Sequence, residues 1–433
     1  ALRSSESLSQ VVSFAESWLG SWLVLLTVHW CLIDPDLFPV LVLPGMTVYA
    51  DAPLFAGSTW SVLRLVLVIV VLGMVLRPEP LRAGYRAMPR YLLWTMLLLL
   101  LAYSLSALAN NWPRDSLERM VSHVMRVGLV AVVFVSVYRF ENARYLLIGM
   151  TLQGVSMAIA GGYVWQTQGT YMAFRSIERA VLSDDSLLLF SVYAVSYASL
   201  AVSSGIASIS LGMMTRRRLV RFLAYLGGAM LMLASIMSTR RQAVVAILTA
   251  VPLMLWLERN RRGLILFSIL AFLALLLNYA GYFDQFFSQR QSILEELAGR
   301  GTGRLELIRY GLEQWSKSVV WGYGPGSQPQ IYGETYRYSH STVVSALLEG
   351  GLLAALLLVY LLLRASLDVF RTARRLRANP DDSWPVIFLA SFANILVFAV
   401  VSGDLLAANN YLILLAIVLA YCKKATETRP DAG

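Results

Sequence analysis

The chain has 433 residues, 58% of them hydrophobic and 14% charged, with a mean hydropathy of +0.63. A soluble domain carries roughly 25% charged residues, so a soluble globular protein is excluded, and apolar runs near twenty residues recur along the whole length. The formal net charge of +10 would suggest nucleic acid in a soluble protein, but in a membrane chain basic residues collect on cytoplasmic loops, and no nucleic-acid partner is expected.

In chain order, the apolar runs predict spans at 12–33, 60–76, 90–109, 117–138, 144–164, 186–210, 219–238, 241–257, 262–281, 342–364, 385–402 and 406–422. The fold class expected is all-α and integral to a membrane, with about twelve transmembrane helices. Segment 35–58 is apolar but broken by Pro35, Pro39, Pro44, Gly45 and Pro53. Interior proline costs a helix about 3 kcal/mol, so this piece reads as re-entrant or interfacial. No cleavable signal peptide is expected, because the first apolar run is too long and no small-residue cleavage site stands out. Cys31 and Cys422, in or beside membrane segments at opposite ends of the chain, make neither a disulfide framework nor a metal site.

Charge sets the topology. The connections at 77–90, 139–144, 216–221, 259–262 and 364–377, with the tail, hold 21 basic residues, and the alternate connections hold 12. The excess marks the first set as cytoplasmic, with both termini inside. Residues 1–281 then form spans one to nine, 282–341 a large loop outside the cytoplasm, 342–422 spans ten to twelve, and 423–433 a cytoplasmic tail. The basic residues on the outer side need another reason than insertion bias: acidic partners, lipid headgroups or an anionic substrate.

Arg240 and Arg241 stand in Ser238-Thr239-Arg240-Arg241-Gln242-Ala243, at the outer junction of two spans. The pair reads either as a hairpin turn snorkelling to headgroups or as a phosphate clamp, since arginine presents planar, permanently charged donors and a helix N-terminus adds free N–H groups. Arg175 and Arg179 share a helical face. They read as local salt-bridging residues or as a second pair of phosphate ligands, and Asp184 and Asp185 as a helix cap or a weak metal signal.

Within the long loop, Leu305, Ile308, Leu312 and Trp315 follow the spacing of one amphipathic helical face, entered by a turn at Gly301-Thr302-Gly303 with Thr302 as N-cap. Glu306, Arg309 and Glu313 lie at ion-pair spacing, which assigns Arg309 to structure. Arg290 and Arg304 have no such local partner and are candidate anion ligands. Gly322, Gly324 and Gly326 with Pro325 make a turn of unusual dihedrals or close approach. His340 lies at the outer mouth of span ten, and histidine is the side chain best suited to proton transfer near neutrality. It reads as a general base or as an interfacial residue bonded to a headgroup. Asp404, in the outer turn Ser402-Gly403-Asp404, either orients a base or caps a helix.

Four of these stretches together resemble the O-antigen ligase and polymerase superfamily of bacterial inner-membrane proteins. Ser238–Ala243 is similar to its serine–arginine turn with Arg241 at the principal arginine, Gly303-Arg304 to its Gly-Arg element, and Trp321-Gly322-Tyr323-Gly324 to its Gly-x-Gly turn. His340-Ser341 with Gly350 and Gly351 is similar to the ligase's histidine signature. The motifs cover roughly residues 230–360, and the topology covers the whole chain. One departure is Ser183-Asp184-Asp185-Ser186, where the family often has an asparagine-containing motif.

The resemblance implies a glycosyltransferase-C-like fold with a helical periplasmic loop between spans nine and ten. It implies transfer of polysaccharide from an undecaprenyl-diphosphate-linked O-antigen donor to a sugar hydroxyl of the lipid A core, at the periplasmic face. The reaction would need no metal or cofactor, with inversion at the anomeric carbon. His340 is then the base. Arg241, Arg240, Arg290 and Arg304 stabilise the diphosphate, with Arg175 and Arg179 second and Asp404 as an orienting group. An O-antigen polymerase and a protein O-oligosaccharyltransferase share this pattern. A lipid-linked glycan flippase or transporter is the alternative from another class, and it would place ionisable residues near the bilayer midplane.

Overall fold

The computed structural model describes residues 78–111, 114–139, 194–237, 241–257, 303–336, 341–376 and 409–427, with Ser339 and scattered positions between 147 and 158, at 268 and between 391 and 396. Most of these residues are helical, with no strand among them. The helices are α1 (Pro78–Ala87), α2 (Arg90–Ala109), α3 (Arg114–Arg139), α4 (Ala194–Met214), α5 (Arg218–Met237), α6 (Arg241–Leu257), α7 (Gly303–Trp315), α8 (Gln328–Tyr336), α9 (Thr342–Leu376) and α10 (Asn409–Glu427).

By length and composition, three described helices can cross a membrane: Arg90–Ala109, Arg218–Ser235 and Thr342–Arg375. The spans expected at 117–138, 241–257 and 406–422 fall on α3, α6 and α10, and the one expected at 186–210 on α4, which begins later and continues to Met214. The expectations at 12–33, 35–58, 60–76, 262–281 and 385–402, and most of 144–164, fall outside the described residues.

Two basic connections are not open loops. Residues 77–90 contain α1, which starts on Pro78, a residue suited to the first helical turn because it lacks an N–H that would have no partner there. Its Gly84 packs so closely on α3 that an added Cβ would lie 2.7 Å from Val135 Cγ1. The expected span 342–364 is only the first part of α9, which runs on through the basic stretch to Leu376. Leucine- and alanine-rich sequence with arginines in the last turn favours this continuation, since cations complement the C-terminal dipole.

The core lies among α2, α3, α9 and α10, around Leu92, Met96, Leu99, Phe134, Leu358, Leu361 and Leu415, all buried. On α2 the buried side carries Leu92, Met96, Leu99, Tyr103 and Ser106 at helical spacing, while Trp94, Leu97, Leu98 and Leu101 are exposed. Large apolar side chains on the outer face fit hydrocarbon rather than water.

The hairpin of α4 and α5 uses small residues instead. Ser208 Oγ donates to Ala224 O at 2.7 Å, and a Cβ on Gly228 would lie 2.6 Å from Ile209 Cγ1 and 3.2 Å from Gly205 O. Close backbone approach of this kind supplies dispersion contact where lipid offers no hydrophobic drive. Replacing Gly228 with Leu should separate the hairpin and destabilise the protein by about 1–3 kcal/mol, measured as a lowered thermal midpoint in detergent.

Candidate functional site

Helix α7 and the turn after it bring the loop onto the bundle. The buried side of α7 is formed by Leu307, Ile308, Gly311 and Trp315, packed with Tyr332, Val344 and Leu348. Leu312, expected on this face, is 40% exposed. The contact is centred on Gly311, where a Cβ would lie 2.7 Å from Val344 Cγ1 and closer still to Tyr332 Oη, so the helix is rotated to bring its glycine in. Arg309 is exposed, as are Glu306 and Glu313. Solvated charges at this spacing gain only tenths of a kcal/mol, against the entropy of fixing long side chains.

The next segment, Ser316–Ser327, is held by its own backbone. Ser318 Oγ donates to Gly322 O at 2.7 Å, Trp315 Nε1 to Val319 O at 3.1 Å, and Tyr323 Oη to Gln314 O at 2.9 Å. Gly322, Gly324 and Gly326 all have positive φ, at 68°, 93° and 83°, a region that L side chains rarely enter.

This turn docks where α9 breaks. At Gly351 the backbone takes φ 70° and ψ −167°, which interrupts the ladder. Leu352 N, whose helical acceptor would be Leu348 O, donates instead to Val319 O at 3.0 Å, and Leu348 O accepts from Tyr323 N at 2.6 Å. The turn thus takes up both groups that the break releases. The approach is tight enough to require glycine on both sides. A Cβ on Gly322 would lie 2.5 Å from Leu348 O, and one on Gly351 would overlap Val320 O. The Gly-x-Gly turn and the Gly350-Gly351 pair, separate motifs in the sequence, are one piece of structure.

The ends of α2 and α3 clasp the same point. Ser106 Oγ donates to Glu349 O at 2.7 Å, Ser116 Oγ to Pro325 O at 2.8 Å, and Asn110 Nδ2 to Gly322 O at 3.3 Å. Beside them runs a buried polar chain. Gln328 Nε2 donates to Glu349 Oε1 at 2.9 Å, while Gln328 Oε1 accepts from Ser339 N and from Ser345 Oγ, both at 3.1 Å. Ser339 Oγ lies 2.9 Å from Ser345 Oγ and donates to Ser341 O at 3.0 Å. Gln328, Ser339, Ser345 and Glu349 are all buried. A buried network whose members are paired is rigid, so the backbone on both sides of position 340 is fixed.

Of the residues singled out from sequence, Arg241 is the first residue of α6 and Arg304 the second of α7. His340, Arg240, Arg290, Arg175, Arg179, Asp184, Asp185, Asp404 and the proposed cap Thr302 lie outside the described residues. The structure adds residues that the sequence reading left aside. On α3, Ser116, Arg119, His123 and Arg126 recur every three or four positions and so share a face. His123 is buried, with its ring centroid 4.9 Å from that of Tyr103 and its Nδ1 3.3 Å from Arg126 Nη1. A guanidinium only donates, so Nδ1 faces it as an acceptor. Arg119 sits in the second turn of α3. The 3-4-3 spacing of polar residues in an apolar helix was the available signal.

Two measurements check this construction. Gly351→Ala should undock the turn, because positive φ and the Val320 carbonyl both oppose a Cβ. A cost above about 1.4 kcal/mol is a tenfold change in the open population, read as faster tryptic cleavage after Lys317. Tyr332 Oη donates to Leu307 O at 3.0 Å, and burial, with Tyr310 nearby, pushes its phenol up to about 12 from 10.0. With the folded value above the unfolded one, its contribution is complete below pH 10 and is lost as pH rises through about 12. Docking of α7 should loosen across that window, followed by Trp315 fluorescence, and Tyr332→Phe should remove the dependence.

Residues 226–359 match the family described as O-antigen ligase. That interval runs from α5 through α9 and contains the turn, the helix break and the buried polar chain. No curated protein matches the chain. The match covers 134 of the 433 residues and bears out, over that stretch, the resemblance to the O-antigen ligase and polymerase superfamily.

Proposed function

We propose that the protein is an O-antigen ligase of the bacterial inner membrane, with about twelve spans, both termini cytoplasmic and its site on the periplasmic face. It transfers polysaccharide from undecaprenyl diphosphate to a sugar hydroxyl of the lipid A core. The observation that carries this reading is the buried Glu349–Gln328–Ser339 chain. It ties down the residues flanking His340, as a general base requires for an acceptor held within hydrogen-bond reach.

In this mechanism the acceptor oxygen attacks the anomeric carbon and gives its proton to His340. The bond from that carbon to the diphosphate breaks, and the configuration inverts once. The leaving diphosphate gains charge as it departs. Arg241 at the start of α6, Arg304 at the start of α7, and Arg240 and Arg290 stabilise it, with Arg175 and Arg179 second. Asp404 orients the base. Arginines perform this task without a metal ion.

Purified protein should transfer glycan from the lipid diphosphate to lipid A core in the presence of chelator. His340→Ala and Arg241→Ala should each lower kcat by about 10²-fold or more. Transfer that His340→Ala leaves at the parental rate rules out the base, and activity only on a growing glycan acceptor points to a polymerase.

A further inference from the structure

Far from the glycine turn, at the other end of α9, lies a cavity of about 640 Å³. Residues Gly351 to Arg371 rise by roughly 30 Å, the thickness of a hydrocarbon core, so the cavity opens at the opposite membrane face from the site above. Its floor includes Leu419 and Thr372, both buried, and its rim carries Arg371, Arg374, Arg375 and Lys423 with one carboxylate, Asp368. The size falls within the range of small-molecule sites, about 300–1,000 Å³.

Among the described residues, four cations line this cavity against the one carboxylate of Asp368. Asp368 is taken by Arg364 at 3.8 Å, and Arg364 lies over the Tyr91 ring, 5.5 Å from its centroid. Glu427 is taken by Lys423 at 3.0 Å and by the hydroxyl of Tyr138. Arg371, Arg374 and Arg375 have no acidic partner among the described residues. Their spacing of three and four places them along one side of the last turns of α9. Three guanidinium groups without an acidic partner among the described residues, set around one partly apolar cavity, form a receptor for phosphate oxygens. A cytoplasmic excess of arginine accounts for their sign, but not for their convergence on one cavity.

We propose that this cavity binds a phosphate-bearing anion at the membrane face opposite the transfer site, with the headgroup of an anionic phospholipid and free phosphate as the two possible sources. The site does not depend on the assignment of His340 or on the ligase reading.

The test uses the full chain in neutral detergent, with lipid retention read by native mass spectrometry and thermal stability read in parallel. Phosphatidylglycerol, phosphatidylcholine and inorganic phosphate are the three probes. The variant replaces Arg371, Arg374 and Arg375 with Gln, and a comparator replaces the exposed Arg216, Arg217 and Arg218 with Gln. Parent and comparator should retain phosphatidylglycerol over phosphatidylcholine, and the first variant should bind it on the order of a hundredfold more weakly. Stabilisation by inorganic phosphate at millimolar concentration, lost in the same variant, would assign the site to a soluble anion. Equal binding by the parent and the first variant to every probe would overturn the proposal. An equal loss in the comparator would overturn it too, because the effect would then be a general property of basic surface.

Discussion

The exchange of hydrogen bonds at Gly351 is the constraint on which the candidate site depends. A helix crossing hydrocarbon cannot leave an N–H or a carbonyl unpaired without a cost of several kcal/mol. Here the ladder is interrupted and the released groups, Leu352 N and Leu348 O, pair with Val319 O and Tyr323 N. The turn, braced by Ser318, Trp315 and Tyr323, thus satisfies both groups that the break exposes. Gly322 and Gly351 follow as the residues that let two backbones meet without Cβ atoms between them.

That dock makes the loop a part of the bundle rather than an appendage. Ser106, Asn110 and Ser116 reach the turn and the helix break from α2 and α3. Gln328 and Glu349 then link α8 to α9 through buried hydrogen bonds. Position 340 falls between two anchored serines. In the proposed chemistry this rigidity is useful, because a base misplaced by an ångström loses much of its effect. That chemistry would bring a glycan acceptor and a lipid donor to one point at the edge of a bilayer.

The bundle shows a division of labour along α9. Its first turns carry the dock and the polar chain, its middle is apolar and packs on α2 and α10, and its last turns hold arginines at a cavity. One long helix therefore joins two polar regions across the thickness of a membrane. On α3, the polar face of Ser116, Arg119, His123 and Arg126 begins at the turn and runs into the protein. Ionisable residues held inside a membrane bundle are rarely there for stability alone.

Much of this was legible in the residues. Apolar runs of the right length located α2, α5 and α6 nearly to the residue, because a membrane leaves a helix few other solutions. The superfamily was legible too, since the order of short motifs between 230 and 360 is more specific than any one of them. The buried face of α7 was not, because its centre is Gly311, which has no hydrophobic signature; only the fit against Tyr332 and Val344 decides the rotation. Nor was the meeting of Gly322 with Gly351, whose pairing rests on a backbone break that no periodicity marks. Hydropathy and run length were enough to locate the long apolar helices and to point to a membrane. The tertiary structure alone decided which turn fills which break, and which polar residues face one another, because those depend on close contact between segments far apart in the chain.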